Sequence, residues 1–158
     1  MTRLTRRYRF SASHRLHNPE LPDAENRALY GKCNNPYGHG HDYVLEVSVA
    51  GPVDEHGRVA DRAALDRLVE ACILREFRHS NLNRDVKEFA DLVPTSENVA
   101  MIVERRLSAA WHRTFAGAWP MLEKIRLFET GRNIVEYLAP AVTGAAMENQ
   151  GEVAKNEK

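Results

Sequence analysis

The chain of 158 residues has only two cysteines, Cys33 and Cys72, no excess of either charge and no long apolar run. Each shortage excludes something. Two cysteines make no disulfide framework, so a reduced, cytoplasmic protein is expected. The 22 basic and 22 acidic residues cancel and are interspersed, which argues against a nucleic-acid surface while leaving room for local basic groups that hold a phosphorylated small molecule. No stretch approaches the ~20 apolar residues of a membrane span. The opening MTRLTRRYRF lacks the apolar run of a signal peptide. What is present is 43 % hydrophobic residues, in a length suited to one domain with a real core.

One stretch concentrates the chemistry. Residues 31–43 read GKCNNPYGHGHDY. His39 and His41 are two apart, so on an extended segment both imidazoles point to one face, and Gly38 and Gly40 leave the backbone room to bring the rings together. Two neutral imidazoles suit zinc, but a catalytic zinc site usually has three protein ligands and an open position. A lone HxH pair is a weak signal. The third candidate is His14, in YRFSASHRL, where Tyr8, Phe10, Ala12, His14 and Leu16 share one parity. His41, Tyr43, Leu45, Val47 and Val49 alternate likewise, so two neighbouring antiparallel strands could aim three imidazoles at one point.

In chain order, residues 3–16 predict a first strand, 17–38 a long loop carrying Cys33, and 39–50 a second strand. Residues 51–60 predict a turn with an exposed His56 and a short strand extension near Val59. From Asp61, a plausible N-cap, the period becomes helical. Leu65, Leu68, Val69, Cys72, Ile73 and Phe77 form the apolar stripe of a helix over 62–77, with Cys72 as a core thiol. A polar loop at 78–83 precedes a second helix that Thr95 or Ser96 caps and that ends before Gly117, with His112 on its surface. Strand signals return in MLEKIRLFET and IVEYL around a turn at 131–133. Glu129 lies on the parity of Ile125 and Leu127, a costly place for a carboxylate unless it anchors something. Residues 1–140 are expected to form the domain and 141–158 a mobile tail.

This order predicts an α+β fold, a four-stranded antiparallel sheet with both helices on one face (ββααββ). Its two open edges favour oligomers that close into a barrel.

FSASHRL, GKCNNPYGHGHDY, HSNLN, TSENVA and FETGRNIVEY, spanning Tyr8 to Leu138, together resemble the 6-pyruvoyltetrahydropterin synthase family, which includes the bacterial 6-carboxytetrahydropterin synthases. The CNNPxGHGH form is more similar to the pyruvoyl enzymes. The resemblance implies the tunnelling fold, a homohexamer of two stacked trimers with interfacial active sites, and 7,8-dihydroneopterin triphosphate as substrate. It further implies His14, His39 and His41 as zinc ligands, Cys33 as general base, His79 as second acid/base and Glu129 as the carboxylate anchoring the pterin ring. Thr95, Ser96 and Glu97 resemble the segment lining the pterin pocket, and magnesium is allowed beside the departing triphosphate. The implied reaction is a zinc-assisted proton shift along the side chain, loss of triphosphate and internal redox.

One position departs from the pattern. The family's pyruvoyl synthases usually have an aspartate immediately before the catalytic histidine, and here that residue is Arg78. A guanidinium cannot accept the histidine's proton. Either another acid, such as Asp85 or Asp91, serves His79, or Arg78 contacts the triphosphate. Three readings therefore stand: a pyruvoyl-type synthase of tetrahydropterin synthesis, a carboxytetrahydropterin synthase or side-chain-cleaving variant feeding deazapurine synthesis, and a zinc-dependent pterin-binding protein with little turnover.

Overall fold

The computed structural model describes residues 1–140, so the expected tail at 141–158 lies outside the described residues. Two long strands form its spine. β1 (Thr2–His14) and β2 (His39–Gly51) pair antiparallel along their whole lengths, with His14 opposite His39 and Ala12 opposite His41. That register brings all three histidines to one end of the sheet and one face. β4 (Met121–Phe128) and β5 (Ile134–Leu138) extend the sheet antiparallel beyond β2.

Among the described residues the sheet has five strands, not four. β3 (Ser80–Asn81) pairs parallel with the far edge of β1, giving the order β3-β1-β2-β4-β5. Two residues are too few for an alternating pattern to be seen in sequence. The mixed sheet corrects the expected all-antiparallel one, while the α+β class stands.

The helices cover the face that carries Phe10, Tyr43, Leu45, Val47, Ile125 and Leu127. α2 (Arg62–Val69) continues through a π-helical turn (Glu70–Leu74) into α3 (Arg75–Phe77), matching the range expected for one helix. Asp61 caps it, accepting from the Ala63 and Ala64 amides at 2.9 and 3.1 Å. The wider turn shifts the stripe by a residue. Leu74 is buried, and Cys72 is half-buried against the core rather than inside it.

After α4 (Leu82–Asp85), α5 (Ser96–Thr114) starts at Thr95, whose hydroxyl accepts from the Asn98 amide at 3.3 Å. Val99, Ile102, Val103, Leu107 and Trp111 are buried, and His56 and His112 are exposed. No strand forms near Val59. No helix among the described residues is long and apolar enough to cross a membrane.

The expected loop at 17–38 contains α1 (Asp23–Tyr30) and a 3-10 turn (Gly31–Asn34). Its sole buried helical residue is Asn26, whose side chain accepts from the Asn18 amide at 2.7 Å and donates to the Asn18 and Leu21 carbonyls at 2.8 and 2.9 Å. A polar side chain therefore does the anchoring that an apolar stripe does elsewhere.

Candidate metal centre

The Nε2 atoms of His14, His39 and His41 converge, at mutual distances of 3.0, 3.1 and 3.2 Å. Tetrahedral zinc with bonds of about 2.0–2.1 Å would set its ligand nitrogens about 3.3 Å apart, so the trio has nearly the spacing of three corners of such a site. His14 is fully buried, and its Nδ1 lies 3.0 Å from the Pro94 carbonyl. Nδ1–H donates to that oxygen, which leaves a bare lone pair on Nε2 facing the other two rings. Burial pushes the His14 and His41 imidazoles down, keeping both in the neutral form that ligates metal. Three convergent ring nitrogens, one of them fixed as a bare acceptor, fit a cation.

The turn before β2 makes this approach possible. Gly38 has φ +69, and a Cβ there would stand 2.7 Å from the His14 carbonyl oxygen. Only glycine allows the two strand ends to close so tightly.

Cys33 and Glu129 flank the imidazoles. The Cys33 Sγ lies within 4.8 Å of ligand nitrogens of His14 and His39. Burial, and then the Glu129 carboxylate, push this thiol up. A base here therefore needs a compensating positive charge near the sulfur. Glu129 Oε1 is 3.7 Å from His14 Nε2 and 3.8 Å from His41 Nε2, and its side chain is only 9 % exposed. The other oxygen accepts from Asn133 Nδ2 at 2.6 Å, and the same amide donates to the Ser96 hydroxyl at 3.4 Å. The start of α5 and the β4–β5 turn thus position one carboxylate. Of the expected pterin-pocket residues, Ser96 joins this network, Thr95 serves as the cap and Glu97 is exposed.

His79 stands apart. It takes φ +60, with its backbone N–H donating to the Ser11 carbonyl at 2.7 Å, a conformation that costs a non-glycine residue on the order of 1 kcal/mol and that collects at functional positions. It shares a cavity of about 400 Å³ with Ser11, Ser13, His41 and Asp42. Among the described residues its ring has no hydrogen bond, neither to Cys33 nor to Asp85 or Asp91. Asp85 instead accepts from the Asn81 amide at 2.7 Å. Arg78 makes a two-point pair with Glu70, both contacts at 3.2 Å, at the surface.

Sequence reasoning missed Asn133 and the Pro94 carbonyl. Asn133 reads simply as a turn residue, and a backbone carbonyl has no signature in sequence at all.

Fold and site together define an α+β protein in which three histidine side chains converge at one end of the sheet, beside a cysteine and a glutamate that could share a metal ion with them. The family model described as 6-pyruvoyl tetrahydropterin synthase matches residues 3–140. The chain is 40 % identical over 138 residues to the 6-pyruvoyl tetrahydrobiopterin synthase of Drosophila melanogaster, covering 87 % of this chain and 79 % of that one. It is 43 % identical over 135 residues to the Homo sapiens protein of that name, covering 85 % and 89 %. The solved structure of Caenorhabditis elegans 6-pyruvoyl tetrahydropterin synthase superposes with a TM-score of 0.79 at 40 % identity, over 87 % of this chain and 94 % of that one. The chain belongs to the 6-pyruvoyl tetrahydropterin synthase family.

Proposed function

We propose that the protein is a zinc-dependent lyase converting 7,8-dihydroneopterin triphosphate to 6-pyruvoyltetrahydropterin with release of triphosphate. The observation that carries this reading is the convergence of three Nε2 atoms beside one thiol and one carboxylate. His14, His39 and His41 hold the zinc. When bound, zinc supplies Lewis acidity to the side-chain hydroxyls of the substrate and the adjoining C–H, and positive charge near Cys33. Cys33 then takes a proton from the side-chain carbon. His79 acts as the second acid/base, and Glu129 accepts the pterin's 2-amino and ring N–H groups, beside the pocket edge formed by Thr95, Ser96 and Glu97. Proton transfer along the side chain expels triphosphate and leaves two carbonyls while the ring is reduced, so no external oxidant is required. Magnesium belongs with the triphosphate.

The pyruvoyl outcome is favoured by the Drosophila melanogaster and Homo sapiens relatives, 40 % and 43 % identical and both named for that product. Assembly as a cytoplasmic homohexamer, a dimer of trimers with interfacial sites, is part of the proposal. Two features support it. His79 and Cys33 make no hydrogen bond within one chain, which suits a base and a second acid/base supplied by different copies. The edge strand β5 leaves Ile134 and Leu138 exposed, at 42 % and 66 %.

Removal of metal by a chelator should abolish triphosphate release, followed by phosphorus NMR, and one equivalent of zinc per chain should restore it. Undiminished release from a metal-free chain would exclude zinc dependence.

A further inference from the structure

Two cavities border the histidine cluster, and they differ in charge. The one beside His41 is lined by Ser11, Ser13, Asp42 and His79, with no lysine or arginine. The one beside His39 has a volume of about 520 Å³ and is lined by Arg15, Arg27, Lys32 and Asp23, together with Asn34 and Asn35. Three cations face a single carboxylate there, and none of the three forms an ion pair among the described residues. A third cavity, lined by Arg9 and Arg78, contains no residue of the cluster.

Arg15 is also held in place. Its backbone N–H donates to Asn83 Oδ1 at 2.7 Å and its carbonyl accepts from Asn83 Nδ2 at 2.9 Å. Its guanidinium reaches the Asn34 carbonyl and His17 Nδ1, both at 3.4 Å. Neither partner is a carboxylate, so they orient the group without neutralising it. Arg27 comes from α1 and Lys32 from the 3-10 turn, so the segment between the long strands supplies two cations to one opening.

We infer that this cavity, built by Arg15, Arg27 and Lys32, is the subsite that holds the triphosphate of the substrate. The inference rests on the synthase reading above. In such a substrate the triphosphate sits on the carbon next to a metal-facing hydroxyl, so it must lie against a ligand of the cluster. Of the two cavities described that touch the cluster, the one at His39 offers the charge to bind a polyanion. Arg78, by contrast, is engaged by Glu70 and lies in the cavity without a metal ligand.

The test uses inorganic tripolyphosphate and 7,8-dihydroneopterin, which lacks phosphate, as separate probes in calorimetric titrations of the zinc-loaded protein. The paired change Arg27→Ala and Lys32→Ala should weaken tripolyphosphate by at least about tenfold and flatten its salt dependence, with 7,8-dihydroneopterin affinity held within about twofold. Arg78→Ala should leave tripolyphosphate affinity unchanged. Unaltered tripolyphosphate binding in the paired variant, or its loss in Arg78→Ala, would overturn the assignment. Failure of the unmodified protein to bind 7,8-dihydroneopterin would count against the synthase reading instead. Arg27 and Lys32 are both exposed, so the variant keeps the core intact, and Arg27→Lys should retain most of the affinity.

Discussion

His39→Ala is expected to lose stoichiometric metal and to lower turnover by roughly 10³-fold or more, with little change in melting temperature. Two of the three proposed ligands remain in that variant, their nitrogens 3.2 Å apart in the unmodified chain, but two imidazoles do not hold zinc as three do. His39 is only half-buried, so its loss leaves a small opening at the end of β2. His14→Ala should remove metal equally and also destabilise the fold, by about 2–4 kcal/mol. That side chain is fully buried and satisfies the Pro94 carbonyl, so its removal leaves both a cavity and an unpaired acceptor. Metal content by atomic emission and stability by denaturant titration separate the two. Equal destabilisation by both variants would mean that the histidines act chiefly as packing.

Cys33→Ala is expected to lower turnover by about 10²–10⁴-fold while metal and pterin binding persist. The thiol lies beside the imidazoles without being needed to complete their trio, so the zinc content should stay at one per chain. Burial and Glu129 hold the thiol up in the protein alone, so under the proposed mechanism the proton-accepting form depends on a cation bound at His14, His39 and His41. Cys33→Ser should be nearly as poor, because an alcohol is a far weaker acid than a thiol. Loss of metal in Cys33→Ala would instead make Cys33 a ligand.

What could be read from sequence follows the length and period of each element. The long amphipathic segments, β1, β2 and the helices from Arg62 and Ser96, announce themselves through apolar repeats, and His14, His39, His41 and Glu129 inherit their facing from those same repeats. α1 was invisible because Asn26 anchors it through hydrogen bonds, leaving no stripe to detect. β3 was invisible because a two-residue parallel pairing is fixed from outside, by the Ser11 carbonyl receiving the His79 amide. The π-helical turn has no signature in the apolar repeat, since an inserted residue displaces Cys72 toward the surface without breaking the helix. Of the supporting groups around the site, Pro94 is far from His14 in sequence and acts through a backbone carbonyl, while Asn133 is close to Glu129 but carries an amide that any turn could carry. Arg78 is a departure that sequence could locate but not interpret, and its pair with Glu70 shows where the charge goes.

The most direct measurement incubates the zinc-loaded protein with 7,8-dihydroneopterin triphosphate and identifies the products by mass, with Cys33→Ala as control. The expected result is 6-pyruvoyltetrahydropterin and one equivalent of triphosphate from the unmodified chain, and neither at a comparable rate from the variant. A 6-carboxy product with acetaldehyde would contradict it, assigning the same three-histidine centre to side-chain cleavage. Tight pterin binding with no product would contradict it as well, and would make the protein a binder rather than a lyase.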